Sequence, residues 1–113
     1  MGNKPSIDLP HLNAEPDTVT ISGGSAGCYM AHRLSIINSD AIKGAGLFFC
    51  WAFDTDLVFV DEVTQSPEQL AAIAIESIDE KEKAGRIDPT SNLKDRAYTI
   101  WSGRLDEVTP WQG

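Results

Sequence analysis

Cysteine and histidine are scarce in this chain, with two of each among 113 residues. Two cysteines are too few for a disulfide framework, and there is no C-x-x-C pair or Cys/His cluster to suggest zinc. Cys28 and Cys50 fall near strand ends, where burial as small apolar side chains is the expectation. His11 and His32 stand far apart and make no metal-ligand spacing, so no metal is expected. Basic residues are outnumbered, 9 against 17 acidic, for a net charge of −8. That charge repels phosphate backbones and argues against a nucleic-acid partner. No apolar run approaches the ~20 residues that a membrane span needs. The N-terminal MGNKPSIDLPHLN lacks an apolar core, so no secretory signal is read there. It does match M-G-x-x-x-S, with Gly2 as the myristoyl acceptor.

What remains is an ordinary globular composition, 42% hydrophobic and 23% charged, in a chain long enough for one small core. Residues 1–17 carry Pro5, Pro10 and Pro16 and read as an extended lead-in. The β-branched stretch 18–22 reads as a strand. Met30, Leu34 and Ile37 then recur at helical spacing, which predicts a helix over about 26–38. The continuous apolar run GAGLFFC, residues 44–50, suits a strand covered on both faces. Residues 51–66 are a candidate lid segment, in which 57–60 could form a further short strand. Ser66, Pro67 and Gln69 write a helix start, with Ser66 as N-cap and Gln69 closing a capping box. Leu70, Ile73 and Ile78 continue that helix, and Lys81, Lys83 and Gly85 end it. AYTIWS, residues 97–102, reads as a third strand, followed by a loop over 103–110. Strand, helix, strand, helix, strand is the order of an α/β unit with parallel strands and crossover helices. Ligands of such sheets bind beyond the carboxyl ends of the strands, where the loops at 23–27 and 103–110 are expected.

The first of these loops is GGSAG. A serine hydroxyl is a poor nucleophile unless a base takes its proton and donors stabilise the oxyanion it creates. A sharp strand-to-helix turn lifts the hydroxyl above the sheet edge and places it at a helix N-terminus. Crowding in that turn demands small residues two before and two after the serine, and Gly23 and Gly27 flank Ser25 accordingly. The backbone N–H of Ala26 then points toward the developing negative charge. The alternatives fit less well. A dinucleotide fingerprint would need glycine at Ser22, and a phosphate-binding loop would need Gly-Lys-Ser/Thr. A purely structural turn remains the competing reading.

Asp106, just past the third strand, is the candidate acid that would orient a histidine. Glu107 is its rival, and Asp54 and Asp56 follow the second strand. A base is harder to find. His11 precedes the serine in the lead-in, and His32 lies two helical turns beyond it, directed away from the hydroxyl.

Three stretches, DLPHLNAEPDTVTISGGSAGCYMAHRL, SDAIKGAGLFF and GRIDPTSNLKDRAYTIWSGRLDEVTP, resemble the poly(3-hydroxybutyrate) depolymerases and related esterases of the α/β-hydrolase superfamily. The circularly permuted, single-domain type is the nearest in pattern. The resemblance implies that residues 1–113 form the N-terminal part of one α/β-hydrolase catalytic domain with an incomplete sheet. It implies Ser25 as nucleophile, Asp106 as triad acid, Ala26 as one oxyanion donor, and a triad histidine and second donor beyond Gly113. It implies hydrolysis of 3-hydroxyacyl or other short-chain esters with no cofactor. The chain departs from the family at Cys28, where a second glycine is common. It departs again at Phe49-Cys50-Trp51-Ala52, where a small Ala-Gly-Gly-Pro type of stretch is usual, and bulk there reshapes the acyl pocket. The alternative is a truncated, non-catalytic domain that associates through its open sheet edges.

Overall fold

The computed structural model describes residues 8, 10–50, 53 and 65–107. Among the described residues, three parallel strands lie in the order β1-β2-β3 in an open sheet. They are β1 (Thr20–Gly24), β2 (Gly44–Phe48) and β3 (Ala97–Trp101). Helix α1 (Ala26–Ile37) connects the first pair, and α2 (Pro67–Lys83) lies between the second and third strands. This is the α/β order expected from the sequence. The register sets Thr20 beside Gly44 and Gly44 beside Ala97, and runs in step to Gly24, Phe48 and Trp101.

β1 starts two residues later than the β-branched run suggests, because Thr18 is used elsewhere. Its N–H and its hydroxyl both donate to the Glu15 carbonyl, at 3.1 and 2.8 Å, and close a 3-10 turn over Pro16–Thr18. The strand extends instead through Gly23 and Gly24, which pair with Leu47 and Phe48.

Side chains alternate across the sheet. Ala45 and Leu47 face α1 and form one cluster with Cys28 and Ala31, flanked by Ile21, Cys50 and Tyr98. The helix face that reaches this cluster is built mainly from small residues. Cys28, Ala31, Ser35 and Ile36 are buried, while Met30 is 56% exposed. Small residues win because they let the helix axis approach the strands closely. Ser35 is accommodated by donating to the His32 carbonyl at 2.8 Å, and it accepts from the Tyr98 hydroxyl at 3.1 Å, which ties β3 to α1.

A second cluster of Ile36, Phe53, Ala74 and Ile87 joins α2 to the end of α1. On α2 the buried residues are Leu70 and Ala74, whereas Ile73 is exposed. The ends of α2 follow local chemistry. Ser66 and Gln69 exchange both bonds of the capping box, and Glu68 in the first turn is held below its usual pKa by its own backbone N–H and the Ser66 hydroxyl. At the other end Gly85, at φ +67°, lets Arg86 N–H reach the Lys81 carbonyl and Gly85 N–H reach that of Glu82, both at 2.9 Å. The following segment is fastened by polar bonds: Glu82 accepts from the N–H and hydroxyl of Thr90, and Asp88 from the N–H of Asp40.

The proposed acylation site at Gly2, most of the candidate lid at 51–66 and the strand suggested for 57–60 lie outside the described residues. Phe53, from that segment, is core: it is 1% exposed, with Arg33 and Lys81 stacked over its ring. Among the described residues, no helix is long and apolar enough to cross a membrane.

Candidate functional site

β1 ends at Gly24 and α1 begins at Ala26, so the whole strand-to-helix reversal is made at Ser25. Its backbone stands at φ 53°, ψ −125°, a region that side-chain-bearing residues rarely occupy. Two backbone bonds hold it there. Ser25 N–H donates to the Phe48 carbonyl at the end of β2, and its own carbonyl accepts from Tyr29 N–H, each at 3.1 Å. The residue is exposed, and its side chain makes no capping bond to the helix it precedes. The hydroxyl thus sits at the carboxyl edge of the sheet, in front of a helix N-terminus with its partial positive charge. Ala26 is the first helical residue, so its N–H has no acceptor within the helix.

The two glycines play unequal parts. A Cβ on Gly23 would lie 2.2 Å from the carbonyl oxygen of Gly27, so this turn closes only over glycine. A Cβ on Gly27 would meet nothing within 4 Å, which corrects the expectation that both flanks are crowded.

Asp106 and Glu107 lie past the end of β3, on the same edge as Ser25. β2 separates the two strands, which puts β1 and β3 roughly 10 Å apart. Asp106 is half-buried and its N–H donates to the Gly103 carbonyl at 3.2 Å, while Glu107 is exposed. Asp54 and Asp56 lie outside the described residues. His11 is exposed in the lead-in, and the His32 ring packs edge-on against Phe53 with centroids 6.2 Å apart. His32 is also about 10 Å along the helix axis from Ser25. Among the described residues, no group of three or more His, Cys, Asp or Glu could hold a metal ion.

Cys28 is fully buried and Cys50 partly, as expected, but the two are joined in a disulfide that the sequence did not mark. Cys28 lies one helical turn after Ser25, and Cys50 lies two residues past the end of β2. Because β1 and β2 are neighbours, both cysteines reach the same edge, with Cα atoms 5.5 Å apart. The bridge and the Ser25-to-Phe48 bond fasten the serine turn to β2 twice. Cys50→Ala is expected to lower unfolding free energy by about 3 kcal/mol, the chain-entropy value for the 22-residue separation. Urea unfolding of both proteins, with thiol alkylation to confirm the bridge, checks this. An unchanged midpoint would show that the bridge adds no constraint.

Phe49, which the sequence marked only as bulk, is placed tightly. It has φ 46°, and its N–H donates to the Trp101 carbonyl at 2.8 Å. The Phe49 and Trp101 rings meet edge to face with centroids 6.0 Å apart.

Compared with known proteins, the chain is 29% identical over 110 residues to a poly(3-hydroxybutyrate) depolymerase of Delftia acidovorans. The match takes in 91% of this chain and 22% of that protein, so the chain spans about a fifth of its relative's length. No family model matches, and no solved structure matches. The similarity to a depolymerase is therefore weak and partial. The open parallel sheet with helices between its strands is consistent with an α/β-hydrolase-like architecture.

Proposed function

We propose that these residues carry the nucleophile half of a serine carboxylic-ester hydrolase, depolymerase-like, acting on 3-hydroxyacyl or other short-chain esters. The observation that carries this reading is the backbone of Ser25, held at φ 53°, ψ −125° between a strand and a helix with its side chain exposed. Ser25 Oγ attacks the ester carbonyl carbon while a histidine, supplied from outside these 113 residues, takes the hydroxyl proton. Ala26 N–H donates to the tetrahedral oxyanion. The C–O bond to the alcohol breaks, and the histidine gives its proton to the departing oxygen. Water, deprotonated by the same histidine, then attacks the acyl-serine and releases the acid. Asp106 orients the imidazole and stabilises its charged form. No metal or organic cofactor enters these steps.

The exposed β3 favours a second reading, an interaction domain without catalysis. Ile100 is 74% and Trp101 56% exposed on the outer strand of the described sheet, and parallel sheets are ordinarily covered on both faces. Covalent labelling separates the two. A p-nitrophenyl alkylphosphonate is expected to phosphonylate the full-length protein at Ser25, releasing one p-nitrophenol per chain, with the added mass on the peptide that contains GGSAG. A full-length protein that stays unlabelled, or labels elsewhere, would turn the reading toward the interaction domain.

A further inference from the structure

The sheet face turned away from α1 is built from small residues, with Ser22, Gly46 and Thr99 in one row across the three strands. At its carboxyl end this floor stops against aromatic rings. Phe48 and Trp101 are paired in register on that face and are 38% and 56% exposed. The Phe49 ring folds back over Gly24, the residue immediately before Ser25. A Cβ on Gly24 would lie 2.9 Å from the tip of that ring, so a side chain there would push the ring aside. Phe49 is not loosely placed, because it combines φ 46°, a backbone bond to Trp101 and a disulfide through its neighbour Cys50. Positive φ at a bulky residue is held against an intrinsic cost, and such strain gathers at ligand sites.

From this arrangement we infer that Phe49 and Trp101 form a subsite beside Ser25 for the flat, apolar group of an ester, an aryl or arylalkyl acyl chain. The inference rests on Ser25 being the nucleophile, because that fixes where the acyl carbonyl must lie. Perpendicular Phe49 and Trp101 rings offer an edge and a face to a third ring, which offset or T-shaped contacts reward over a plain alkyl chain. The floor of Ser22 and Gly46 carries no charge that would favour an ionised substituent. A Cβ on Gly46 would lie 3.2 Å from both Ser22 and the Phe48 ring, so that floor is already filled to contact. The preference therefore comes from the aromatic wall and not from a deep cavity.

Two measurements on the full-length protein test this. The first is binding of 4-phenylbutan-2-one, a ketone that cannot be hydrolysed, followed by saturation-transfer NMR on Ser25→Ala protein and on Ser25→Ala combined with Phe49→Leu or Trp101→Leu. Each leucine keeps an apolar side chain and removes the ring, and each is expected to weaken the ketone by about 10-fold. The second is kcat/KM for p-nitrophenyl phenylacetate against p-nitrophenyl acetate. The leucine variants are expected to lower this ratio by about 10-fold. Unchanged ketone affinity, or equal losses for both esters, would overturn the subsite and leave the serine untouched. Undiminished acetate turnover in Ser25→Ala would instead remove the nucleophile, and with it the subsite's role as an acyl pocket, even if ketone binding still depended on Phe49.

Discussion

Replacing Ser25 by glycine in the full-length protein is expected to abolish ester turnover and, at the same time, to make the protein more stable. The first effect follows from chemistry. Without the hydroxyl no acyl-enzyme forms, and removing a triad nucleophile costs on the order of 10⁴-fold or more in kcat. The second follows from the backbone. At φ 53°, ψ −125° a side chain is crowded, and glycine is not. Nothing of stability is lost with the side chain, because it makes no capping bond and is exposed. Relief of strain worth about 1–3 kcal/mol is reduced by the extra freedom of glycine in the unfolded chain, leaving roughly 1 kcal/mol of gain. Ser25→Ala keeps the strain, so it should lose turnover equally while its melting temperature stays within about a degree or two of the parent. The pair of variants thus separates the hydroxyl from the turn. A turn that served folding alone would be better built from glycine. If Ser25→Gly lowers the melting temperature, the serine is there for structure. Turnover that survives in both variants would remove it from the chemistry.

How far the sequence could be read depended on whether the deciding contacts were local. The capping box at Ser66 and Gln69 and the turn at Gly85 form within a few residues, and both are present as read. The α/β order was legible too, because TVTIS and GAGLFF carry strand composition and the helices between them carry periodicity. The spacing of Met30, Leu34 and Ile37 marked the helix but not its buried face, where Ala31 and Ser35 are buried and Met30 is exposed. Close packing on the strands favours the smaller pair, and only the assembled sheet shows how near the helix comes. The disulfide had a signal in retrospect: Cys28 follows the serine by one turn and Cys50 ends the next apolar run. The pairing of β1 with β2 was needed to bring them together, and that is a long-range fact. Phe49 was visible as bulk near the site. Its positive φ and its contact with Gly24 depend on the Trp101 carbonyl, which lies 52 residues along the chain. Residues 51–66 are apolar and acidic by turns in the sequence and, apart from Phe53 and residues 65–66, lie outside the described part of the chain.

The second large effect lies at Gly23, and Gly27 is its control. A methyl group on Gly23 would stand 2.2 Å from the Gly27 carbonyl oxygen, 2.3 Å from its carbon and 2.8 Å from the Cys28 nitrogen. All three are backbone atoms of the first turn of α1, so no side chain can swing aside to make room. Either the helix lifts away from β1 or the serine turn opens. Lifting the helix disturbs the cluster of Cys28, Ala31, Ala45 and Leu47, and the disulfide resists it by holding Cys28 to the end of β2. Gly23→Ala is therefore expected to cost about 3 kcal/mol, at the upper end for overpacking. Any protein that still folds should hydrolyse esters at least about 100-fold more slowly, since a displacement of ~1 Å suffices for such a loss. At Gly27 the same methyl meets open space, and alanine is the better helix former by about 1 kcal/mol. Gly27→Ala should accordingly fold at least as well as the parent and raise the urea midpoint. Equal losses in the two variants would mean that the strand-to-helix turn is not the closely packed element whose geometry fixes Ser25. Opposite signs, with turnover lost only at Gly23, tie the position of the hydroxyl to the one contact that admits no side chain.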